Sequence, residues 1–550
     1  LAPSPDGQWL LFSTRDEVYV TALPPAEVTP TPEVSMKESS IPVWRLTDEA
    51  GGYAAWADQG RAITWTLGAT FHRVTIADAM AFADAQRAKK AEQARQGEQG
   101  KKGEQTKAEE PRVPTSEAFH ISISLPRYVP SGVLALTGAR IVTMKGEEIL
   151  PSADIVITGN RITAIGSSGS VTIPSGATRM DATGTTIAPG LVDTHAHLHY
   201  SGFEVLPETK WEYAANLAYG VTTVYDPSAP SLDVFEQAEM VETGRLLGPR
   251  VYSSGDVLYG GQQAPMYAEV DSQDDARRQV RRMKAYGARM IKVYQQPRRD
   301  QRLWFAQACR EEHMLLTVEG AGELHTDLTT VTDGFTSFEH ALPYELHDDV
   351  IQLLARAHTT YTPTLIVAYG GPEAEHYFYQ QRNPHEDEKL RRFVPHPMLD
   401  QLARRHTWVA LDEFHFPTVA NSAAAVRRAG GIVTLGAHGQ LQGLGAHWEL
   451  WALAGEGQPP GKTAMTPFEA LRASTREAAQ KIGFLPDIGT VETGKLADLV
   501  VFDADPLADI HNSVKIRWVI KNGELFDAAT LTRRWPSEHP LPRMFWQEAP

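Results

Sequence analysis

Ala188-Pro189-Gly190-Leu191-Val192-Asp193-Thr194-His195-Ala196-His197-Leu198 joins a short apolar strand to a polar end. Residues two apart on a strand face the same side. His195 and His197 can therefore share one cation, with Asp193 below them. Further along, short apolar runs alternate with helical stretches: Val221–Tyr225, Arg250–Ser254, Met290–Tyr294, Leu315–Glu319, Phe335–His340, Thr359–Ile366 and Gly431–His438. With Gly190–His197 these make eight strands, and the alternation predicts an α/β fold with a TIM-like (β/α)8 barrel over residues 187–484. Such barrels carry their chemistry at the C-terminal ends of the strands. Lys292 closes the fourth strand, Glu319 the fifth, His340 the sixth and His438 the eighth. One histidine at a strand end is ordinarily a hydrogen-bonded structural residue, but the joint pattern points to a bound divalent cation.

Outside the barrel, strand-like segments recur at both ends. Gly138–Thr143, Asp154–Ile157 and Arg161–Gly166 precede it, and Ala497–Asp503 and Ile516–Gly523 follow it. Asn522-Gly523 is a hairpin turn. The expectation is a small β-sandwich built from residues 116–186 and 485–530, with residues 531–550 as a C-terminal tail. Before it, Ala81 to Arg112 has almost no large apolar residues after Phe82 and cannot offset its ordering entropy by burial. Residues 81–115 are read as a charged, flexible insertion. In residues 1–80, Ser4-Pro5-Asp6-Gly7-Gln8-Trp9-Leu10-Leu11-Phe12 is a turn feeding a strand, echoed by Ala57-Asp58-Gln59-Gly60-Arg61-Ala62-Ile63-Thr64-Trp65. This repeat suggests propeller blades. Two blades cannot close a ring, so the chain is expected to be a fragment or mature product of something longer, or its partner blades to lie elsewhere; two ordinary hairpins packed on another domain are the alternative.

Composition bounds the function. The 550 residues are 42% hydrophobic, enough for a sizeable core, and carry a net charge of −16. An acidic chain is a poor general binder of nucleic acid. No stretch approaches the ~20 apolar residues that cross a bilayer. The single cysteine, Cys309, excludes an intrachain disulfide and a cysteine-rich zinc site. No signal peptide is visible at Leu1.

Three segments resemble the amidohydrolase superfamily. Ala188–Leu198 is similar to its strand-1 motif, Phe338-Glu339-His340 to its strand-6 motif, and Gly489–Val500 to the segment that returns such chains to their sandwich. The likeness covers residues 132–530 and looks closest to the imidazolonepropionase and prolidase branch, in the version fused to a TolB-like β-propeller. It implies one or two divalent ions, zinc first, with manganese or iron as alternatives. His195 and His197 would hold the more buried ion, Lys292 would become a bridging carbamate, and His340 would hold the second ion. Two positions depart from the pattern. Glu319 stands where the family has histidine, and His438 where it has a metal-binding, proton-shuttling aspartate. Glu319 could bridge or act as acid/base, and His438 could bind metal, take the proton, or stand behind the ligands. A one-ion site or a lost activity stays open. Propeller-fused relatives favour a periplasmic or secreted location.

A cation there would activate water and polarise a carbonyl, and a neighbouring base would move the proton. Hydrolysis of an amide or other C–N bond follows, on a small peptide, N-acyl amino acid or cyclic amide. Esters, lactones and organophosphates answer to the same chemistry, and a non-catalytic interaction protein with a decayed site is the rival. His199, Tyr200, Tyr225 and Tyr294 are candidate substrate contacts at or beyond strand ends. Gly436–Glu449 reads as a mobile lid or pocket rim, with His447 and Glu449 as rival acid/base or substrate-binding groups. Gly489–Lys495 has phosphate-loop spacing, but Leu496 replaces the needed hydroxyl. No nucleic-acid partner is expected, and a homo-oligomer is open.

Overall fold

The computed structural model describes residues 1–23, 41–97, 112–200, 206–261, 268–404, 407–459, 464–544 and 546–547. It divides into two compact units. One holds Leu1–Ser124 with Gly260–Gly287, and the other holds Leu125–Tyr259 with Ala288–Pro550.

The first unit contains two antiparallel sheets, each of four strands in sequence order. One is Ala2–Pro3, Trp9–Thr14, Glu17–Ala22 and Val43–Arg45; the other is Gly52–Ala57, Ala62–Leu67, Thr70–Thr75 and Glu117–His120. Leu11, Val18, Val20, Ile63, Trp65 and Val74 form their shared core. Glu117–His120 pairs with Thr70–Arg73, so the boundary expected at residue 116 moves to residue 124. Of the expected insertion, residues 81–97 belong to helix Ile76–Gly97 and residues 112–115 are irregular; residues 98–111 lie outside the described residues. Helix Gln273–Tyr286, expected in the barrel, also belongs to this unit. Its Arg278 and Arg282 are buried and pair with Asp48 and Asp16. Gly68, at φ +54°, lies so close to the Ala285 carbonyl that no side chain fits there.

The second unit holds a barrel and a sheet drawn from both sides of it. The sheet has nine strands. Thr186–Pro189 pairs antiparallel with Leu499–Phe502 and parallel with Val133–Val142, and so joins the two ends. The expected sandwich is thus one continuous hydrogen-bonded sheet. Its inward residues Leu134, Ile141, Ile155, Ile187, Leu499, Ile520 and Trp535 share one core. Arg533–Trp535 extends it into the presumed tail, pairing with Leu525 and Phe526.

The barrel strands are Leu191–Asp193, Val221–Asp226, Arg250–Ser253, Met290–Val293, Leu315–Glu319, Ser337–Glu339 and Thr360–Thr362, paired in parallel within two groups. Bridges Leu258↔Val293 and Tyr361↔Val433 and the bond from Thr194 N to the Leu435 carbonyl close the ring. The ends depart from the expected strands. The first strand stops at Asp193, whose Oδ1 accepts the backbone N–H groups of His195 and Ala437. His195 and His197 therefore lie beyond the strand, not on one strand face. The seventh stops at Thr362 because Thr364 turns to φ +49° and starts the 3₁₀ turn Leu365–Val367. The eighth is a lone bridge at Val433 within an extended segment.

Candidate active site

The six residues expected at the strand ends converge. The rings of His195, His340 and His438 lie 4.8–4.9 Å apart, centroid to centroid. His197 sits 4.5 Å from His438 and 5.1 Å from His195. Lys292 Nζ donates to Glu319 Oε2 at 2.7 Å, and Glu319 Oε1 is 2.8 Å from His340 Nε2. Tyr369 donates to Glu319 Oε1 at 3.0 Å and stacks on the His340 ring.

Backbone geometry sets these positions. His340, Thr364 and His438 adopt φ of +66°, +49° and +58°. Each such residue costs about 1–3 kcal/mol, and this strain gathers at functional sites. The His438 N–H donates to the His195 carbonyl at 2.6 Å, which ties the eighth segment to the first. His195 Nδ1 lies 3.2 Å from Thr364 Oγ1 and 3.3 Å from Glu339 Oε2. Behind it, Lys481 Nζ donates to Glu339 Oε1 and to Thr362 Oγ1, each at 2.6 Å. His197 Nδ1 lies 3.6 Å from Asp226 Oδ1.

The electrostatics favour neutral imidazoles at His195 and His438 beside a charged carboxylate. Burial pushes His195 and His438 well below the usual imidazole range. Burial opposes the charge on Glu319, but Lys292 and His340 outweigh it and hold the carboxyl well below its ordinary value. Lys481 does the same for the buried Glu339. Burial raises Asp193 to about 6.

These residues fit a divalent cation. His195 Nε2 is buried with no hydrogen-bond partner among the described residues, a state that costs about 1–3 kcal/mol unless something binds there. His195, His340 and His438 offer donor atoms within 4.8 Å of one another. Neutral imidazole and carboxylate are the ligand forms zinc and similar ions take.

The substrate-contact candidates separate. Tyr294 lies near the cluster, with Lys292 Nζ 6.0 Å from its ring centroid. Tyr225 is buried and packs with Val192 and Met290. His199 is mostly exposed, 4.0 Å from Glu212. Tyr200 meets Tyr213 at 3.4 Å and lies under Lys210. His447 and Glu449 are structural. His447 Nδ1 meets Ser513 Oγ at 2.9 Å and Nε2 meets the Tyr219 carbonyl at 2.8 Å. Glu449 accepts the N–H groups of Leu365 and Ile366, each at 2.9 Å. Both ride on helix Leu444–Ala454, nearly all of it buried, so the expected lid is packed helix from Leu444 onward, and only Gly436–Gly443 is loop. An apolar surface all round buries a helix.

Sequence reasoning passed over Asp226, Glu339, Thr364, Tyr369 and Lys481. Asp226 ends the second barrel strand, so the strand-end rule could have found it. Glu339 stands inside the quoted strand-6 motif. Thr364, Tyr369 and Lys481 lie outside the strands and carry no local signal.

The profile of the Amidohydrolase family matches residues 417–526. Adenine deaminase 2 of Bradyrhizobium sp. (strain ORS 278) is 39% identical over 107 residues, 19% of this chain and 17% of that protein. Imidazolonepropionase of Rhizobium rhizogenes is 25% identical over 389 residues, 66% of this chain and 90% of that protein. A solved Xaa-Pro dipeptidase with bound methionine in its active site superposes with a TM-score of 0.55 at 20% identity, covering 72% of this chain and all of that one. These matches support the amidohydrolase superfamily. The chain's likeness to the adenine deaminase spans less than a fifth of that protein's length. The dipeptidase likeness is one of fold.

Proposed function

We propose that the chain is a metal-dependent hydrolase of C–N bonds, acting on a small peptide, N-acyl amino acid or cyclic amide. The observation that carries this reading is the meeting of four histidines with the Lys292–Glu319 pair at the C-terminal ends of the barrel strands. His195, His197, His340, His438 and Glu319 would hold the cation, zinc first. When bound, it supplies Lewis acidity toward the scissile carbonyl and toward water. Glu319, fixed by Lys292 and Tyr369, takes the proton from the attacking water and returns it to the leaving nitrogen. Tyr294 stands beside Lys292 as a contact for the substrate. The names of the adenine deaminase, imidazolonepropionase and dipeptidase relatives support C–N chemistry without choosing a substrate.

The Lys292–Glu319 contact favours one cation over a pair bridged by a lysine carbamate, because the amine is already engaged by a carboxylate. Elemental analysis of protein purified without chelator, followed by a panel of dipeptides, N-acyl amino acids, cyclic amides and adenine, tests both statements. One metal per chain and turnover of an amide are expected. No bound metal, or turnover of esters alone, defeats the reading, and two metals with a carbamate on Lys292 defeats the single-cation form. The two N-terminal sheets, each a four-stranded meander, are read as propeller blades, and a periplasmic or secreted location goes with that reading.

A further inference from the structure

The second unit holds a cavity of about 310 Å³ that none of the residues proposed for catalysis lines. That volume is at the lower end for small-molecule sites. Its walls come from the stretch around Val241–Gly248, the hairpin around Lys521–Phe526 and the chain from Leu531 to Met544.

Strand alternation explains the chemistry of the hairpin wall. Ile520 points into the core of the nine-stranded sheet, so its neighbour Lys521 points to the opposite face. Lys521 is only 6% exposed and lines the cavity. Among the described residues its ammonium makes no hydrogen bond and no ion pair. A lysine this buried almost always has a partner. The nearby acids are engaged elsewhere. Glu524 accepts from Arg533 at 2.8 Å and Tyr128 at 3.2 Å. Glu242 and Asp498 are held by Arg250. Arg245, exposed at the rim and without a side-chain partner among the described residues, adds a second cation, and Glu208 at the rim opposes them. Lys210, buried on the same wall, is engaged by Gln237 Oε1 at 3.2 Å, and Arg533 by Glu524. Tyr128, Thr209, Asn522 and His539 add polar groups, and apolar side chains make up the rest.

We propose that this cavity binds a small amphiphilic carboxylate, its head group on Lys521 and its apolar body against Leu246, Leu247, Phe526, Leu531, Leu541 and Met544. One buried point charge left without a partner suits a monoanion with a hydrocarbon tail. A phosphate dianion calls for the several forked donors that arginine clusters supply. The site stands apart from the catalytic reading and does not depend on it.

Calorimetric titration of sodium octanoate into the intact protein, set against octylamine, tests the proposal. Octanoate is expected to bind with a Kd below about 1 mM, and octylamine at least about tenfold more weakly. Lys521→Met, which keeps most of the apolar stem and removes the charge, is expected to weaken octanoate binding by about tenfold or more. Absence of octanoate binding, equal binding of octylamine, or unchanged affinity in Lys521→Met overturns the proposal. Photolabelling the wild-type protein with a diazirine analogue of octanoate decides the matter if the variant does not fold. Adducts within residues 241–248 or 539–544 are expected, and adducts confined to other segments overturn it.

Discussion

Lys481 Nζ lies 2.6 Å from Glu339 Oε1, and neither side chain is exposed to solvent. The pair stands directly behind His195, whose Nδ1 is 3.3 Å from the other Glu339 oxygen. Lys481→Met would leave Glu339 as an uncompensated buried charge, so a loss of about 3–5 kcal/mol is expected in urea denaturation. The double variant Glu339→Gln/Lys481→Met should lose less than the sum of the two single variants, because each change removes the other's penalty.

Glu319 holds the proton in the proposed reaction. Glu319→Gln keeps the shape and removes the base, so kcat is expected to fall by about 10²–10⁴. Tyr369→Phe removes a donor to a charged carboxylate, a bond worth about 1.5–3 kcal/mol, and should cost about tenfold or more in kcat. Steady-state kinetics on the amide that turns over fastest, with metal content measured beside it, checks both. Equal activity in Glu319→Gln would assign the proton to another group.

Removal of the cation is expected to act on stability as well as on rate. A ligand at about 100 times its Kd adds about 2.7 kcal/mol to the folded state. Chelated protein should therefore melt at a lower temperature and recover on adding zinc. His195→Ala should melt at a temperature that zinc does not change. A zinc-dependent melting shift in His195→Ala equal to that of the wild type would place the ion elsewhere.

His447 gives a pH dependence with a definite sign. Its Nε2 faces a carbonyl and so carries the hydrogen, while Nδ1 accepts from Ser513, whose oxygen in turn accepts from Trp451. Burial lowers this imidazole to about 3, while the unfolded chain titrates near ~6.5. The stabilisation is full above the unfolded value and is lost as pH falls toward the folded one. Its slope there is about 1.4 kcal/mol per pH unit, one proton taken up on unfolding. His447→Gln should flatten the pH dependence of urea stability in that window. An unchanged slope would assign the proton to another group.

Much of this was legible in the sequence, for physical reasons. His195, His197, Lys292, Glu319, His340 and His438 could be found because a parallel barrel brings strand ends together whatever the loops do. Strand alternation is not what brings His195 to His197. Asp193 draws the backbone out of the ladder, and the rings meet beyond the strand. His447 and Glu449 misled because polar residues in a glycine-flanked segment look exposed, while Trp448, Leu450 and Trp451 bury the whole helix. Lys481 and Tyr369 could not be read locally, since their partners Glu339 and Glu319 are distant in sequence. Single-sequence patterns report an element's own periodicity, not which distant chain covers it.

The union of the two ends in one sheet bears on how the protein is made. Thr186–Pro189 pairs with Leu499–Phe502, so during synthesis the earlier strand waits, one edge open, until nearly the whole barrel has emerged from the ribosome. An unpaired apolar edge invites association with other chains. Nascent chains stalled before Leu499 should therefore be the species that molecular chaperones hold, and release should follow translation of the last strands.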